Sequence, residues 1–109
     1  MEIEIKDYQG MKVMILSGEI DMYSSPTLRE KMMDLIDNRV TPLFVDFKGV
    51  SYIDSSGIAT FVEGFKRMMS YGGRLKLIGL LEMVREIFAF SKLDKVFEIY
   101  GTFEDALIR

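Results

Sequence analysis

The chain has 109 residues, a formal net charge of −3 and an apolar fraction of 49%, so it is long enough to bury one core. It contains no cysteine and no histidine, which excludes disulfides and a cysteine nucleophile and removes the commonest general base and metal ligand. The acidic balance, with Lys and Arg scattered along the chain, argues against nucleic-acid binding. We expect one domain over residues 1–109, with no catalytic residues, no metal and no cofactor.

Nothing in the sequence predicts contact with a membrane. No apolar run approaches the roughly 20 residues that a membrane-spanning helix needs. The first five residues alternate apolar and acidic side chains, a pattern unlike that of a signal peptide. The expected location is therefore the cytoplasm.

The first half of the chain predicts a strand hairpin followed by a helix. Ile3 and Ile5 fit a first strand that extends to residue 8, and residues 11 to 16, rich in Val, Ile and Met, fit a second. Gln9-Gly10 is the turn between them, while residues 17 to 21 leave the second strand. Ser24 and Ser25 before Pro26 predict a helix start in which the serines act only as caps. Apolar residues at helical spacing follow, namely Leu28, Met32, Leu35 and Ile36.

The second half alternates strands and helices. Residues 43 to 47 form an almost continuous apolar run, typical of a strand that helices cover on both faces. After a loop, the clearest helix of the chain is predicted by an apolar stripe of Ile58, Phe61, Val62, Phe65, Met68 and Met69. Strands at residues 75 to 78 and 96 to 100, a helix over 81 to 88 and a short helix after Thr102 complete the order ββαβαβαβα. This order predicts an α/β fold with a mixed, mostly parallel sheet.

The segment Asp54-Ser55-Ser56-Gly57 lies between the buried strand and the clearest helix. In α/β folds, functional groups gather where strands end and helices begin. A helix N-terminus offers free N–H groups and tolerates a negative charge such as a phosphate. Asp and Ser are also ordinary N-caps, so the spacing alone favours a plain helix start. Gly57 is a poor helix former, and its missing side chain would let another protein approach Ser56 closely.

Residues 44 to 58, FVDFKGVSYIDSSGI, closely resemble the signature of the STAS domain of bacterial anti-sigma factor antagonists. The run from Gly18 to Asp21 matches the Gly-x-hydrophobic-Asp pattern of that family, and residues 97 to 107 resemble its closing strand and helix. The resemblance covers essentially the whole chain and implies a single STAS-type domain.

The resemblance also implies a function. In that family the second serine of the motif, here Ser56, is phosphorylated by an anti-sigma factor that is also a serine kinase using Mg-ATP. The unphosphorylated domain binds the anti-sigma factor and thereby releases a sigma factor. Phosphorylation blocks that binding until a serine phosphatase restores it. The expected role is a binding switch and not an enzyme.

The predicted partner surface surrounds the motif. Ser56, Thr60, Glu63 and Arg67 fall on one helical face opposite the apolar stripe. The family fold implies that Asp21 lies nearby, at the end of an adjacent strand. The predicted partner-binding residues are Asp21, Asp54, Ser55, Gly57, Thr60, Glu63 and Arg67. The alternative for the helical strip is a plain solvated face, and for Asp21 a solvated acidic loop.

Two other functions compete with the switch. The first is a STAS module of a lipid-transport or signalling complex, or a domain that senses a nucleotide or another small ligand. The second is a serine hydrolase that uses Ser55 or Ser56. The surroundings of these serines are not Gly-x-Ser-x-Gly, and no histidine can serve as base, so the hydrolase is disfavoured.

Overall fold

A computed structural model describes residues 1 to 108. The strands are β1 (Glu2–Tyr8), β2 (Met11–Ile20), β3 (Leu43–Ile53), β4 (Leu75–Ile78) and β5 (Glu98–Tyr100). The helices are α1 (Ser25–Asp37), α2 (Ser55–Met69), α3 (Glu82–Phe90) and α4 (Phe103–Leu107), and a 3-10 helix spans Leu93–Lys95. The predicted fold class and element order are confirmed.

The five strands form one sheet in the order β1-β2-β3-β4-β5. β1 pairs antiparallel with β2, and the remaining pairs are parallel, so the sheet is mixed and mostly parallel. The β1–β2 turn is tight because Gln9 and Gly10 both have positive φ, of 54° and 82°. Such a pair gives the two-residue turn whose twist matches that of a hairpin.

The two faces of the sheet carry different cores. The larger core lies under α1, α2 and α3, and Phe47 packs there against Phe61 and Phe88 with ring centroids 5.2 and 6.1 Å apart. The smaller core lies under α4, where Ala106 joins Val13, Phe44 and Ile78. β3 is therefore covered on both faces, as its apolar run predicts.

The largest differences from the sequence prediction lie in three strands. β2 continues to Ile20 and β3 to Ile53, although both segments beyond residues 16 and 47 were expected to be loops. Register shifts in the β2–β3 ladder after Ile15 and Gly18 break the regular alternation that marks a strand in sequence. β5 is shorter than predicted, because the backbone of Val96 still belongs to the turn after the 3-10 helix. The last helix begins after Thr102 as predicted, and Thr102 Oγ1 caps it by accepting from the backbone N–H of Asp105 at 3.1 Å.

Candidate functional site

The site lies where β2 and β3 end side by side. Ile20 and Ile53 are paired in the ladder, and the backbone N–H of Asp54 donates to the carbonyl of Ile20 at 3.0 Å. Asp21 and Asp54, the next residue of each strand, therefore stand at the same edge of the sheet. The expected proximity of Asp21 to the motif is confirmed. The extension of both strands, missed in the sequence, is what brings the two carboxylates to this edge.

Asp54 is the N-cap of α2. Its Oδ1 accepts from the backbone N–H groups of Ser56 at 2.9 Å and Gly57 at 3.1 Å. The same oxygen accepts from the hydroxyl of Ser56 at 2.6 Å. The hydrogen bond from the Ser56 hydroxyl is the largest cause of a lowered Asp54 pKa, with the backbone donors adding to it and desolvation opposing it. Asp54 therefore caps α2 and also holds the hydroxyl of Ser56, so its contacts fit both a plain helix start and a functional site at Ser56.

The hydroxyl of Ser56 lies between two helix starts. Its Oγ is 3.0 Å from the Oγ of Ser25 in the first turn of α1. The Ser25 hydroxyl also lies 2.6 Å from the carbonyl oxygen of Asp21. Ser56 is half-buried, whereas Ser25 is only 6% exposed. A chain of short contacts therefore links Asp54, Ser56, Ser25 and the Asp21 backbone.

The prediction that Ser24 and Ser25 are only caps is wrong. Ser24 occupies the N-cap position of α1, but its side chain makes no cap bond. The side chain of Asp21 holds the turn that leads into α1, because its Oδ1 accepts from the backbone N–H groups of Tyr23 and Ser24 at 2.9 and 3.0 Å. Asp21 therefore orders the start of α1, while Ser25 faces α2.

The strip predicted as partner surface on α2 lies along α1. Arg29 donates to both carboxylate oxygens of Glu63, at 2.8 and 2.6 Å, and its hydrogen bonds are the main cause of a lowered Glu63 pKa. Arg67 lies 3.7 Å from Glu63 and 3.8 Å from Asp37. The Glu63 and Arg67 side chains, 36% and 49% exposed, still offer surface to a partner. Their prediction as partner-binding residues remains a prediction.

Thr60 and Gly57 do not occupy the accessible places expected of them. Thr60 is 6% exposed, and its hydroxyl donates to the carbonyl of Ser56 at 3.0 Å. It is enclosed because α1 covers this side of α2. A Cβ on Gly57 would lie 2.6 Å from Ile20 Cγ2 and 2.7 Å from Ile53 Cγ1. The missing side chain of Gly57 therefore accommodates the strand ends beneath α2 and not an approaching protein.

Ser55 is exposed in the first turn of α2, next to Ser56. Two apolar side chains are exposed on the loop that follows Asp21, with Met22 at 65% and Tyr23 at 85% of full exposure. The loop also approaches the motif, since the backbone of Met22 is among the groups that lower the pKa of Asp54. A docking protein at Ser56 would therefore meet apolar as well as polar groups.

The described part of the chain limits the chemistry of this site. In residues 1 to 108, no group of three acidic side chains could hold a metal ion. No helix in this part of the chain is long and apolar enough to cross a membrane. The hydroxyl of Ser56 contacts a carboxylate and a second hydroxyl, and the sequence has no histidine to act as a base.

The sequence pattern of the STAS domain matches residues 2–106. The chain belongs to the STAS domain family. It is 35% identical to an anti-sigma-B factor antagonist of Bacillus subtilis over 91% of this chain and 90% of that relative. This STAS domain also superimposes on an anti-sigma factor antagonist from Mycobacterium paratuberculosis with a TM-score of 0.89 and 25% identity, covering 98% of this chain and 91% of the other. The phosphorylated form of SpoIIAA from Bacillus gives a TM-score of 0.77 and 25% identity, covering 99% and 98%.

Replacement of Asp54 by Ala in this STAS domain should destabilise it by about 1 kcal/mol at pH 7, the usual cost of losing an N-cap. The folded-state pKa of Asp54 is lowered, so the carboxylate stabilises the fold above its unfolded pKa, and this stabilisation is lost as pH falls through the folded pKa. Urea unfolding at pH 7 and at about pH 3 measures the difference. If the parent and Asp54→Ala chains differed in unfolding free energy as much at the acidic pH as at pH 7, the ionised Asp54 carboxylate would not be the stabilising group.

Proposed function

We propose that this protein is an anti-sigma factor antagonist that is switched off by phosphorylation of Ser56. In its unmodified form it binds an anti-sigma factor with serine kinase activity and thereby frees a sigma factor. The kinase transfers phosphate to Ser56, and a serine phosphatase removes it. The protein itself performs no catalysis. Its place of action is the cytoplasm.

The hydroxyl at the start of α2 carries this proposal. Ser56 is only partly buried, and its Oγ, the atom that a kinase would have to reach, is held by Asp54 at 2.6 Å. Its position in the first turn places an added phosphate where helix N–H groups and the dipole favour negative charge. The fold can therefore hold the modified residue without unfolding. The anti-sigma antagonists among its relatives, and SpoIIAA with its phosphorylated form, support the same proposal.

The surroundings of Ser56 supply a docking surface for the anti-sigma factor. Exposed Met22 and Tyr23 can bury apolar area, and aromatic side chains are common anchors at interfaces. The exposed fractions of Glu63 and Arg67 lie further along α2 and add charged contacts at the rim. Ser56, in the first turn of α2, lies between the loop that carries Met22 and Tyr23 and the later turns of α2 that carry Glu63 and Arg67. A charge added to Ser56 would therefore fall inside the interface.

Capture from native extract followed by phosphorylation tests the proposal. The Ser56→Ala chain serves as bait, because it should keep the binding surface but cannot be modified at residue 56. We expect it to retain a protein that, with Mg-ATP, adds one phosphate to the unmodified chain. Mass spectrometry of the digested product should place that phosphate on Ser56. Phosphate on another residue, or addition to the Ser56→Ala chain at the same rate, would refute the assignment of the acceptor.

A further inference from the structure

Three short contacts around Ser56 compete for two hydroxyl protons. Ser56 Oγ lies 2.6 Å from Asp54 Oδ1 and 3.0 Å from Ser25 Oγ, and Ser25 Oγ lies 2.6 Å from the Asp21 carbonyl. Each serine has one proton to donate. Hydrogen bonds to an ionised carboxylate are the strongest of these, so the Ser56 proton goes to Asp54. The Asp21 carbonyl can only accept, so the Ser25 hydroxyl donates to it at 2.6 Å, and the 3.0 Å contact with Ser56 Oγ takes a share of the same proton in a three-centre hydrogen bond.

This arrangement fixes the direction of the remaining lone pair on Ser56. The oxygen has four tetrahedral directions: one holds Cβ and one holds the proton donated to Asp54. A third direction faces the Oγ of Ser25. Only the fourth direction remains for an incoming phosphorus atom. In-line attack depends on such orientation, since small misplacements of a reacting atom cost large factors in rate.

We propose that Ser25 is a positioning residue for the phosphorylation of Ser56, holding its hydroxyl in the attacking rotamer together with Asp54. This inference rests on the proposed phosphorylation of Ser56. Ser25 is 6% exposed, so a kinase docked on the surface cannot contact it. Its influence must therefore pass through Ser56 and appear in the rate of phosphoryl transfer and not in the affinity for the kinase.

Removal of the Ser25 hydroxyl should leave the fold intact. The Asp21 carbonyl keeps the backbone N–H groups of Ser24 and Ser25 as donors, at 3.2 and 2.8 Å. No buried acceptor is therefore left without a donor, and Ala is a good helix former at this position. The Ser25→Ala chain is thus a fair test of orientation, with a melting temperature close to that of the parent.

Ser24→Ala is the matched control. Ser24 lies in the same turn, and its hydroxyl contacts the Glu19 carbonyl at 3.0 Å and the backbone N–H of Asp21 at 2.9 Å. Its contacts hold the turn, so its loss should lower the melting temperature while leaving kcat for phosphorylation unchanged. Ser24→Ala should therefore lower the melting temperature without changing kcat, and Ser25→Ala should lower kcat without changing the melting temperature.

Steady-state kinetics with the kinase captured on the Ser56→Ala chain measure the effect. We expect Ser25→Ala to lower kcat for Ser56 phosphorylation about three- to tenfold, the rate equivalent of one hydrogen bond, with KM unchanged. In the free protein, NMR couplings between Hα and the two Hβ atoms of Ser56 should change from those of one staggered rotamer to averaged values. Unchanged couplings, or an unchanged kcat, would each overturn the positioning role. If the parent chain receives no phosphate on Ser56, the proposed function falls instead, and the couplings still decide whether Ser25 holds Ser56.

Discussion

The chain phosphorylated on Ser56 should bind the captured anti-sigma factor at least about a hundredfold more weakly than the unmodified chain, a loss of about 2.7 kcal/mol. Phosphorylation adds about −1.5 to −2 charges and three acceptor oxygens to a side chain that is half-buried. The carboxylates of Asp21 and Asp54 already stand at this edge of the sheet. An interface closing over the site would have to desolvate the new charge beside them, which is costly without a cationic partner.

The fold itself should tolerate the phosphate. The first turn of α2 places the modified residue at the positive end of a helix of 15 residues, which favours negative charge. Phosphorylation also removes the proton that Ser56 donates to Asp54. We therefore expect far-UV circular dichroism to remain that of the folded chain, with a modest fall in melting temperature, while binding is lost. Loss of binding that accompanies unfolding would contradict a surface mechanism.

Isothermal titration calorimetry measures the affinity of four chains for the captured anti-sigma factor: the parent, the phosphorylated parent, Ser56→Asp and Ser70→Asp. Ser56→Asp should weaken binding less than phosphate does, because it adds one charge and no tetrahedral group. Ser70→Asp adds the same charge at the far end of α2, where Ser70 is exposed, and should bind like the parent. Equal affinity of the phosphorylated and unmodified chains would eliminate the switch.

The sequence predicted the order of elements well because hydrophobic periodicity is a local property. The stripe from Ile58 to Met69 gave α2, and the hairpin turn at Gln9-Gly10 is a local backbone requirement that two residues satisfy. Strand ends were less predictable. Beyond Leu16, β2 continues with Ser17, Gly18 and Glu19 before Ile20, and pairing with β3 keeps this weakly strand-forming run extended. That pairing depends on a neighbour 30 or more residues away in the chain.

The candidate site was predictable only in its linear part. Asp54 and Ser56 stand two residues apart, so their hydrogen bond follows from local helix geometry. Ser25 reaches Ser56 across 31 residues, and only the packing of α1 on α2 creates that contact. One signal was present, since Ser25 shares the helical face of Leu28 and Met32, which are both fully buried. A serine in line with an apolar stripe is expected to be enclosed and to need a hydrogen-bond partner.

The same packing explains the error at Thr60. An amphipathic helix on a sheet is expected to expose the face opposite its apolar stripe. α2 is covered on two sides, by the sheet and by α1. Met32 and Ile36 of α1 lie against Gly64, but the part of the contact along the predicted strip is polar and includes the Arg29–Glu63 ion pair. Polar contacts between helices leave no periodic apolar signal in the sequence. The strip from Ser56 to Arg67 was therefore predicted to be solvent-exposed, although part of it lies in the contact between α1 and α2.

Gly57→Ala should destabilise the protein by about 2 kcal/mol and lower its melting temperature by roughly 10 °C. Ala is ordinarily favoured over Gly in a helix by about 1 kcal/mol, so the expected sign is the reverse of the propensity rule. The added Cβ would lie 2.6 Å from Ile20 and 2.7 Å from Ile53, distances that real Cβ atoms do not adopt. Both isoleucines are completely or almost completely buried and cannot move aside.

Gly101→Ala is the control for this substitution, because no atom lies within 4 Å of its added Cβ and its φ is not positive. Its free energy of unfolding should stay within about 0.5 kcal/mol of the parent. In the Gly57 variant, relief of the clash must lift the first turn of α2 from the strand ends, and this turn carries Ser56. Phosphorylation of the folded Gly57→Ala chain should therefore slow as well, measured at a temperature where both chains are fully folded. If Gly57→Ala proved as stable as Gly101→Ala, the contacts of α2 with Ile20 and Ile53 would leave room for a side chain at residue 57, and the packing argument would be wrong.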